Sequence, residues 1–431
     1  MAGAAGALFG VFLILVILKV PIALSLGGAS LVAIGLFSNI PIFTAMQRFF
    51  ASCDSFNMMA IPFFMIAGSL MARGGVSKRL VNFANSLVGA MPGGLAIVAI
   101  VASLFFGALS GSSTATVAAI GAIVVPYMLE AGYSLRFSLS TVAAAGFLGV
   151  IIPPSIPMIN YGVSMGVSIG DMFLAGFLPG IILAVGMSVI AVIYGKKHVP
   201  ITIQFSWRNV WKSFKDAVWA LLMPVIILGG IYGGIFTATE SGCVACFYGL
   251  FVGVFIYREI KLKDFYNIMV DSVVSTGMIM LIVAAAGAFG FVMTRELIPV
   301  KVAELILSVS TNKYIFLLLV NVLLLVVGTF METNAAIVIL APMMSHVLVQ
   351  LEIDPIHFGI VMIVNLAIGM ITPPLGVNLY VAAGLQKAKV DAVVNKHLLQ
   401  YLGVCLLVLL ILTFVPQIST FLPRLMASLR G

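Results

Sequence analysis

The sequence predicts an all-α integral membrane protein of two inverted-topology repeats, each with a re-entrant helical hairpin and a broken helix. Three observations carry that prediction: an apolar composition, one series of landmarks that occurs twice, and basic residues that alternate sides between the two series. Of 431 residues, 62% are hydrophobic and 8% charged, against about 25% charged in soluble domains. A spanning helix needs roughly 20 apolar residues. Stretches of that length cover 7–37, 172–195, 217–236, 266–294 and 398–422. The first lacks the small-residue cleavage pattern of a signal peptide and runs past Pro21 to Phe37, so it reads as a span.

The first repeat, 1–195, opens with scaffold helices that end in SLMAR at Arg73. An amphipathic arm over 73–92 follows, then a hairpin over 93–129 whose break is GALSGSSTAT from Gly107. A broken helix over 137–170 carries Pro153–Pro154. After a basic linker, 196–216, the second repeat runs over 217–431 in the same order. Its scaffold helices end in FVMTR at Arg295, its arm is 295–312 and its hairpin 313–351 breaks at GTFMETNAA from Gly328. Its broken helix, 357–385, carries Pro373–Pro374, and a terminal helix covers 398–422. The spacings agree. Arg73 to Gly107 is 34 positions and Arg295 to Gly328 is 33; the distances to the double prolines are 80 and 78.

Charge separates parallel from inverted repeats. The first arm carries Arg73, Lys78 and Arg79 without an acid, and the linker holds five Lys/Arg against Asp216. The second arm balances Arg295 and Lys301 with Glu296 and Glu304. By the positive-inside rule the first arm and linker are cytoplasmic and the second arm external. The net charge of +8 is therefore topological, and no nucleic-acid stripe is present. The four cysteines imply no disulfide framework; Cys243 and Cys246 lie in an apolar helix as small packed residues.

Broken helices are tolerated in a bilayer only where they line protein or a water-filled cavity. Proline pairs leave carbonyls free four residues earlier. Paired interruptions in matching halves are the best pointer to a transporter's binding site. Five hydroxyls and Gly111 fall between Ser110 and Thr116, and the partner tip offers Glu332, Thr333 and Asn334. Free carbonyls and hydroxyls suit a small hard cation, while half-helix N-termini face an anion. Glu332 reads equally as a structural acid or a ligand. Glu240, Asp54 and Asp171 read as caps, His346 and His357 lack metal-ligand spacing, and Trp207, Trp211 and Trp219 read as an interfacial belt. No nucleotide loop, zinc-protease motif or potassium filter occurs, so energy must come from an ion gradient or a partner chain.

The runs MAIPFFMIAGSLM (59–71), FFGALSGSSTATVAAIG (105–121), GVIIPPSIPMINYG (149–162), YGGIFTATESG (232–242) and IGMITPPLGVNLY (368–380) resemble the large membrane subunit of tripartite ATP-independent periplasmic transporters. Where many members have Gly-Pro or Ala-Pro at the tip, this chain has Ser113-Thr114. The resemblance implies a bacterial inner-membrane protein with an elevator mechanism and sodium as coupling ion, without a cofactor. It also implies a small four-helix membrane partner and a soluble periplasmic binding protein delivering an organic acid, with C4-dicarboxylates, sialic acid and sugar acids as candidates. Carried onto matching positions, one sodium site uses Ser103 and the carbonyls of Gly149, Ile152 and Pro154. The other uses carbonyls of Gly328, Gly369 and Leu375 with Thr372. The substrate carboxylate is assigned to Ser110, Ser112, Ser155 and Asn160, with Thr333, Asn334 and Asn378 opposite. The alternatives are a stand-alone sodium/dicarboxylate carrier, a channel and, least supported, a membrane-embedded enzyme.

Overall fold

A computed structural model describes residues 2–37, 40–199, 204–309 and 312–430. Ten helices make the first part of the chain: α1 (Ala2–Ile17), α2 (Ile22–Phe37), α3 (Phe43–Cys53), α4 (Ala60–Arg73), α5 (Val76–Val88), α6 (Gly94–Ser110), α7 (Ser113–Glu130), α8 (Leu135–Gly146), α9 (Ile156–Met165) and α10 (Ile169–His198). Ten more follow: α11 (Trp207–Tyr232), α12 (Ala238–Phe251), α13 (Leu262–Arg295), α14 (Ile298–Val309), α15 (Lys313–Phe330), α16 (Thr333–Gln350), α17 (Pro355–Gly369), α18 (Val377–Leu385), α19 (Lys396–Phe414) and α20 (Gln417–Arg430). Among the described residues, nine helical stretches are long and apolar enough to cross a membrane. Large apolar side chains such as Val185, Ile193, Val322 and Leu407 stand exposed on the outside. A soluble monomer keeps such patches small; in lipid they are the solvent-compatible surface.

Three expected boundaries differ. The stretch 7–37 is two helices: α1 ends at Ile17, Lys19 takes a positive φ of 63°, and α2 begins after Pro21 and packs back on α1. Proline has no N–H to continue the ladder, which favours the stop. The terminal helix divides in the same way at Pro416, between α19 and α20. Residues 207–216 of the expected linker form the first turns of α11. Residues 200–203 of that linker and 310–311 of the second arm lie outside the described residues. Among the predicted caps, Glu240 closes a capping box with Thr237 at the start of α12.

The succession α4 to α10 is matched by α13 to α19. The arms are α5 and α14, the hairpins α6–α7 and α15–α16, and the broken helices α8–α9 and α17–α18. Each second hairpin helix contains a proline, Pro126 or Pro342, and both Pro–Pro bonds are cis. The halves interlock rather than lie side by side. Outer helix α2 packs on α13, and α12 packs on α4; deeper in, α9 packs on α16 and α18 on α7. Large side chains from both halves, including Phe106, Phe147, Tyr161 and Phe358, fill one buried core.

Close backbone approach at the loop before α6 sets the position of the first hairpin. Gly93 has φ +73°, and a Cβ there would meet the Ala191 carbonyl of α10. Gly277, inside α13, has nothing within 4 Å of its missing Cβ. Gly93→Ala is expected to destabilise by about 1–3 kcal/mol through overpacking and left-handed strain. Gly277→Ala should be neutral or stabilise by up to about 1 kcal/mol. Thermal unfolding of the two variants in one detergent checks both signs.

Candidate functional site

The two hairpin tips meet a cavity of about 680 Å³, closed on its far side by α4 and α13. At the first tip Gly111, with φ +58°, ends α6 and lets the chain reverse; a Cβ there would lie 3.0 Å from the Pro154 carbonyl. Ser112 caps α7 by accepting from the Ala115 N–H at 3.4 Å. Thr116 donates to the Ser112 carbonyl at 2.7 Å and lies 3.2 Å from the Ser110 hydroxyl. At the second tip Glu332 caps α16. One carboxylate oxygen accepts from the N–H groups of Asn334 (2.8 Å) and Ala335 (3.1 Å), and the other from the Asn334 side chain (2.7 Å).

The tips are therefore chemically unequal. A helix leaves its first N–H groups without intrahelical acceptors. Glu332 takes two of those at α16, whereas α7 has only the longer Ser112 cap. An anion in the cavity meets free dipole at α7 and a carboxylate at α16. Glu332 is the one Asp or Glu lining the cavity among the described residues, and no Lys or Arg lines it.

Of the expected substrate residues, Ser110, Ser112, Thr333 and Asn334 line the cavity. Ser155, Asn160 and Asn378 are buried behind it and hold the breaks together. The Ser155 hydroxyl donates to the Val150 carbonyl at 2.6 Å. The Asn160 amide in α9 donates to the Asn334 side chain at 2.6 Å, and the Asn378 amide in α18 to the Ser113 hydroxyl at 2.7 Å. Each broken helix is thus tied to the hairpin tip of the other half. Ser69 of α4 and Ser275 of α13 also line the cavity, opposite the tips. Ser69 opens the SLMAR landmark and Ser275 precedes Thr276, but a serine in an apolar helix is normally bonded to its own backbone, so its type does not mark it as a site residue.

The first set of carbonyl and hydroxyl groups comes together along one face of α6. The Ser103 hydroxyl is buried without a hydrogen-bond partner among the described residues. One turn on, Gly107 abuts the break so closely that a Cβ would be 2.7 Å from the Gly149 Cα. Pro153 and Pro154 remove the donors that the Gly149 and Val150 carbonyls would use. Val150 recovers one from Ser155, while the carbonyls of Gly149, Ile152 and Pro154 accept no hydrogen bond among the described residues. This neutral, oxygen-only donor set suits a small hard cation.

The second set is differently disposed. Gly328 and Gly369 are in backbone contact, as Gly107 and Gly149 are. The expectation that both carbonyls before Pro373–Pro374 stay free needs correcting. Gly369 accepts from the Thr372 N–H at 3.0 Å and Met370 from the Asn378 N–H at 3.1 Å. The Thr372 hydroxyl donates to the Ile368 carbonyl at 2.8 Å, leaving its oxygen lone pairs available. Leu375 is half-exposed, so this set opens to solvent more than the first.

The tripartite ATP-independent periplasmic transporter DctM component matches over residues 9–418. The isethionate TRAP transporter permease protein DctMQ of Oleidesulfovibrio alaskensis is 46% identical over 424 residues, which are 96% of this chain and 65% of that longer protein. The C4-dicarboxylate TRAP transporter large permease protein DctM of Pseudomonas aeruginosa is 42% identical, covering 93% of this chain and 94% of its own. The sialic acid TRAP transporter large permease protein SiaM of Vibrio cholerae is 37% identical, with 97% and 98% covered. Among solved structures, the YdaH transporter of Alcanivorax borkumensis, described as having an unusual topology, aligns with a TM-score of 0.57 over 86% of each chain. At 15% identity that likeness shows a shared fold.

The crossed amide bonds make a measurable claim. In a double-mutant cycle, Asn160→Ala and Asn334→Ala should couple by about 0.5–3 kcal/mol in stability, as bonded neighbours do. Asn160→Ala and Asn378→Ala, which share no bond, should be additive within about 0.5 kcal/mol. Denaturation of the purified protein in detergent reads both cycles.

Proposed function

Because the chain belongs to the tripartite ATP-independent periplasmic transporters as a DctM component, their large permease subunit in the inner membrane, we propose that it imports an organic acid together with sodium ions. The observation that carries this reading is the unequal pair of tips around one cavity. The α7 end offers hydroxyls and unspent N–H groups to an acid group, and among the described residues no Lys or Arg lines the cavity to hold the substrate permanently. The substrate panel is set by the relatives: C4-dicarboxylates, sialic acid and isethionate. Sodium is assigned to the Ser103, Gly149, Ile152 and Pro154 oxygens, and a second ion to Gly328, Gly369, Thr372 and Leu375. The unpartnered Ser103 hydroxyl supports the first assignment.

Transport by an elevator movement assigns the hairpins and broken helices, α6–α9 and α15–α18, to the moving part, and the arms and remaining spans, α4, α12 and α13 among them, to the support. The cavity lies on that boundary, where Gly68 of α4 lets the Ser110 backbone approach to within 3.1 Å of its missing Cβ. The two halves are read as inverted, from the alternation of basic residues and the crossed packing of α9 and α18. A soluble periplasmic binding protein delivers the substrate, and a small membrane subunit completes the permease.

Uptake into proteoliposomes holding this chain and its small partner tests the reading, under an inward sodium gradient, with and without the cognate binding protein. Uptake requiring both sodium and the binding protein is expected. Uptake of free substrate by this chain alone would replace it with a stand-alone carrier. Ser103→Ala is expected to raise the half-saturating sodium concentration by about tenfold, equivalent to about 1.4 kcal/mol. An unchanged sodium dependence in that variant removes the first ion site.

A further inference from the structure

Away from the transport cavity, a groove of about 550 Å³ runs between α10 and α19. One end is cationic: Lys197 and Lys396 line it together with the imidazoles of His198 and His397. No Asp or Glu lines it among the described residues. The other end is apolar, walled by Ile193, Val404 and Leu407, of which Ile193 and Leu407 are more than half exposed. A polar head that wants cations and a body that wants hydrocarbon are the two halves of a phospholipid.

The cationic end is built on a rigid floor. Tyr194 stacks on Phe137 at 3.5 Å and on His198 at 4.5 Å, and His397 stands edge-on to both Phe137 and Tyr194 at 5.2 Å. His198 uses Nδ1 toward the Tyr194 carbonyl (3.1 Å), and His397 uses Nδ1 toward Gln400 (3.3 Å). The remaining nitrogen of each ring is left for another partner. The groove also has a gap in its wall. At Gly186 the helices touch, since a Cβ there would lie 2.7 Å from Val404. At Gly403 the space beyond the missing Cβ is open for 4 Å. A comparable hollow beside α5 carries Asp216 and Glu259 among its cations and has no such uniform sign.

We propose that this groove holds one anionic phospholipid, its phosphodiester on Lys197 and Lys396 and an acyl chain along Ile193, Val404 and Leu407. Basic pockets between spanning helices near the membrane surface recognise such headgroups. α10 closes the first half of the chain and α19 belongs to the second, so the lipid bridges the two halves at one end of the fold. The basic residues put that end on the cytoplasmic side.

Titration of the detergent-purified chain with cardiolipin, followed by native mass spectrometry, tests the site. One tightly retained cardiolipin is expected, with phosphatidylcholine failing to compete. Two cations near a membrane surface contribute about fivefold each, so Lys197→Ala/Lys396→Ala should bind about 25-fold more weakly. Gly403→Leu, which fills the groove without touching the charges, should also lose the lipid. Inorganic phosphate displacing cardiolipin at millimolar concentration would overturn the lipid assignment in favour of a free-anion site, and equal retention by wild type and both variants would overturn the site. Should either variant misfold, photo-crosslinking of wild type with a photoactivatable anionic lipid decides: labelling of 190–198 and 396–407 supports the groove, and labelling confined elsewhere refutes it.

Discussion

A buried backbone N–H or carbonyl in hydrocarbon must find a partner inside the protein, at a cost of several kcal/mol if it does not. This chain interrupts its helices at two hairpin tips and two double prolines, and the rest of the fold is arranged around closing those interruptions. Side chains brace the broken regions crosswise. Asn160 reaches from the first broken helix to the second tip, and Asn378 from the second broken helix to the first tip. Ser155 caps a carbonyl that a proline had stranded. Among the described residues, the carbonyls of Gly149, Ile152 and Pro154 and the Ser103 hydroxyl stay without a hydrogen bond beside these braces.

Near-symmetry makes the differences between the halves informative. Both have a glycine-to-glycine approach between hairpin and break. One tip carries an acid that consumes its own helix dipole and the other does not. A symmetric pair of tips would hold an anion equally at either end. An unequal pair gives the cavity a direction: on the proposed reading, the negative pole of a bound acid lies nearer α7.

Much of this was legible in the chain because glycine and proline act locally. Gly111 and the two Pro–Pro pairs mark breaks whatever surrounds them, and the spacing from Arg73 and Arg295 exposed the repetition. The basic arm and linker carry the expected orientation, read by counting alone. Length misled at Pro21 and Pro416, where continuous hydrophobicity hid a proline that ends one helix and begins another. Partnership was harder still. That Asn160 and Asn378 would serve each other's halves, rather than face the cavity, depends on contacts between residues far apart in sequence. Ser69 and Ser275 were invisible for a related reason: what distinguishes them is the face opposite, not their neighbours in the chain.

The crossed bonds also have a consequence for how the molecule is made. Ser113 meets Asn378 across 265 positions, and Asn160 meets Asn334 across 174. At synthesis rates of about 5–20 residues per second, the first tip waits on the order of 13–53 s for its partner to leave the ribosome. During that interval the first half sits in the bilayer with polar groups unmatched and its core face uncovered. The chain is therefore indivisible in biogenesis as well as in architecture: neither half is a finished folding unit, and a gene split between them would have to deliver both products to the same place at nearly the same time.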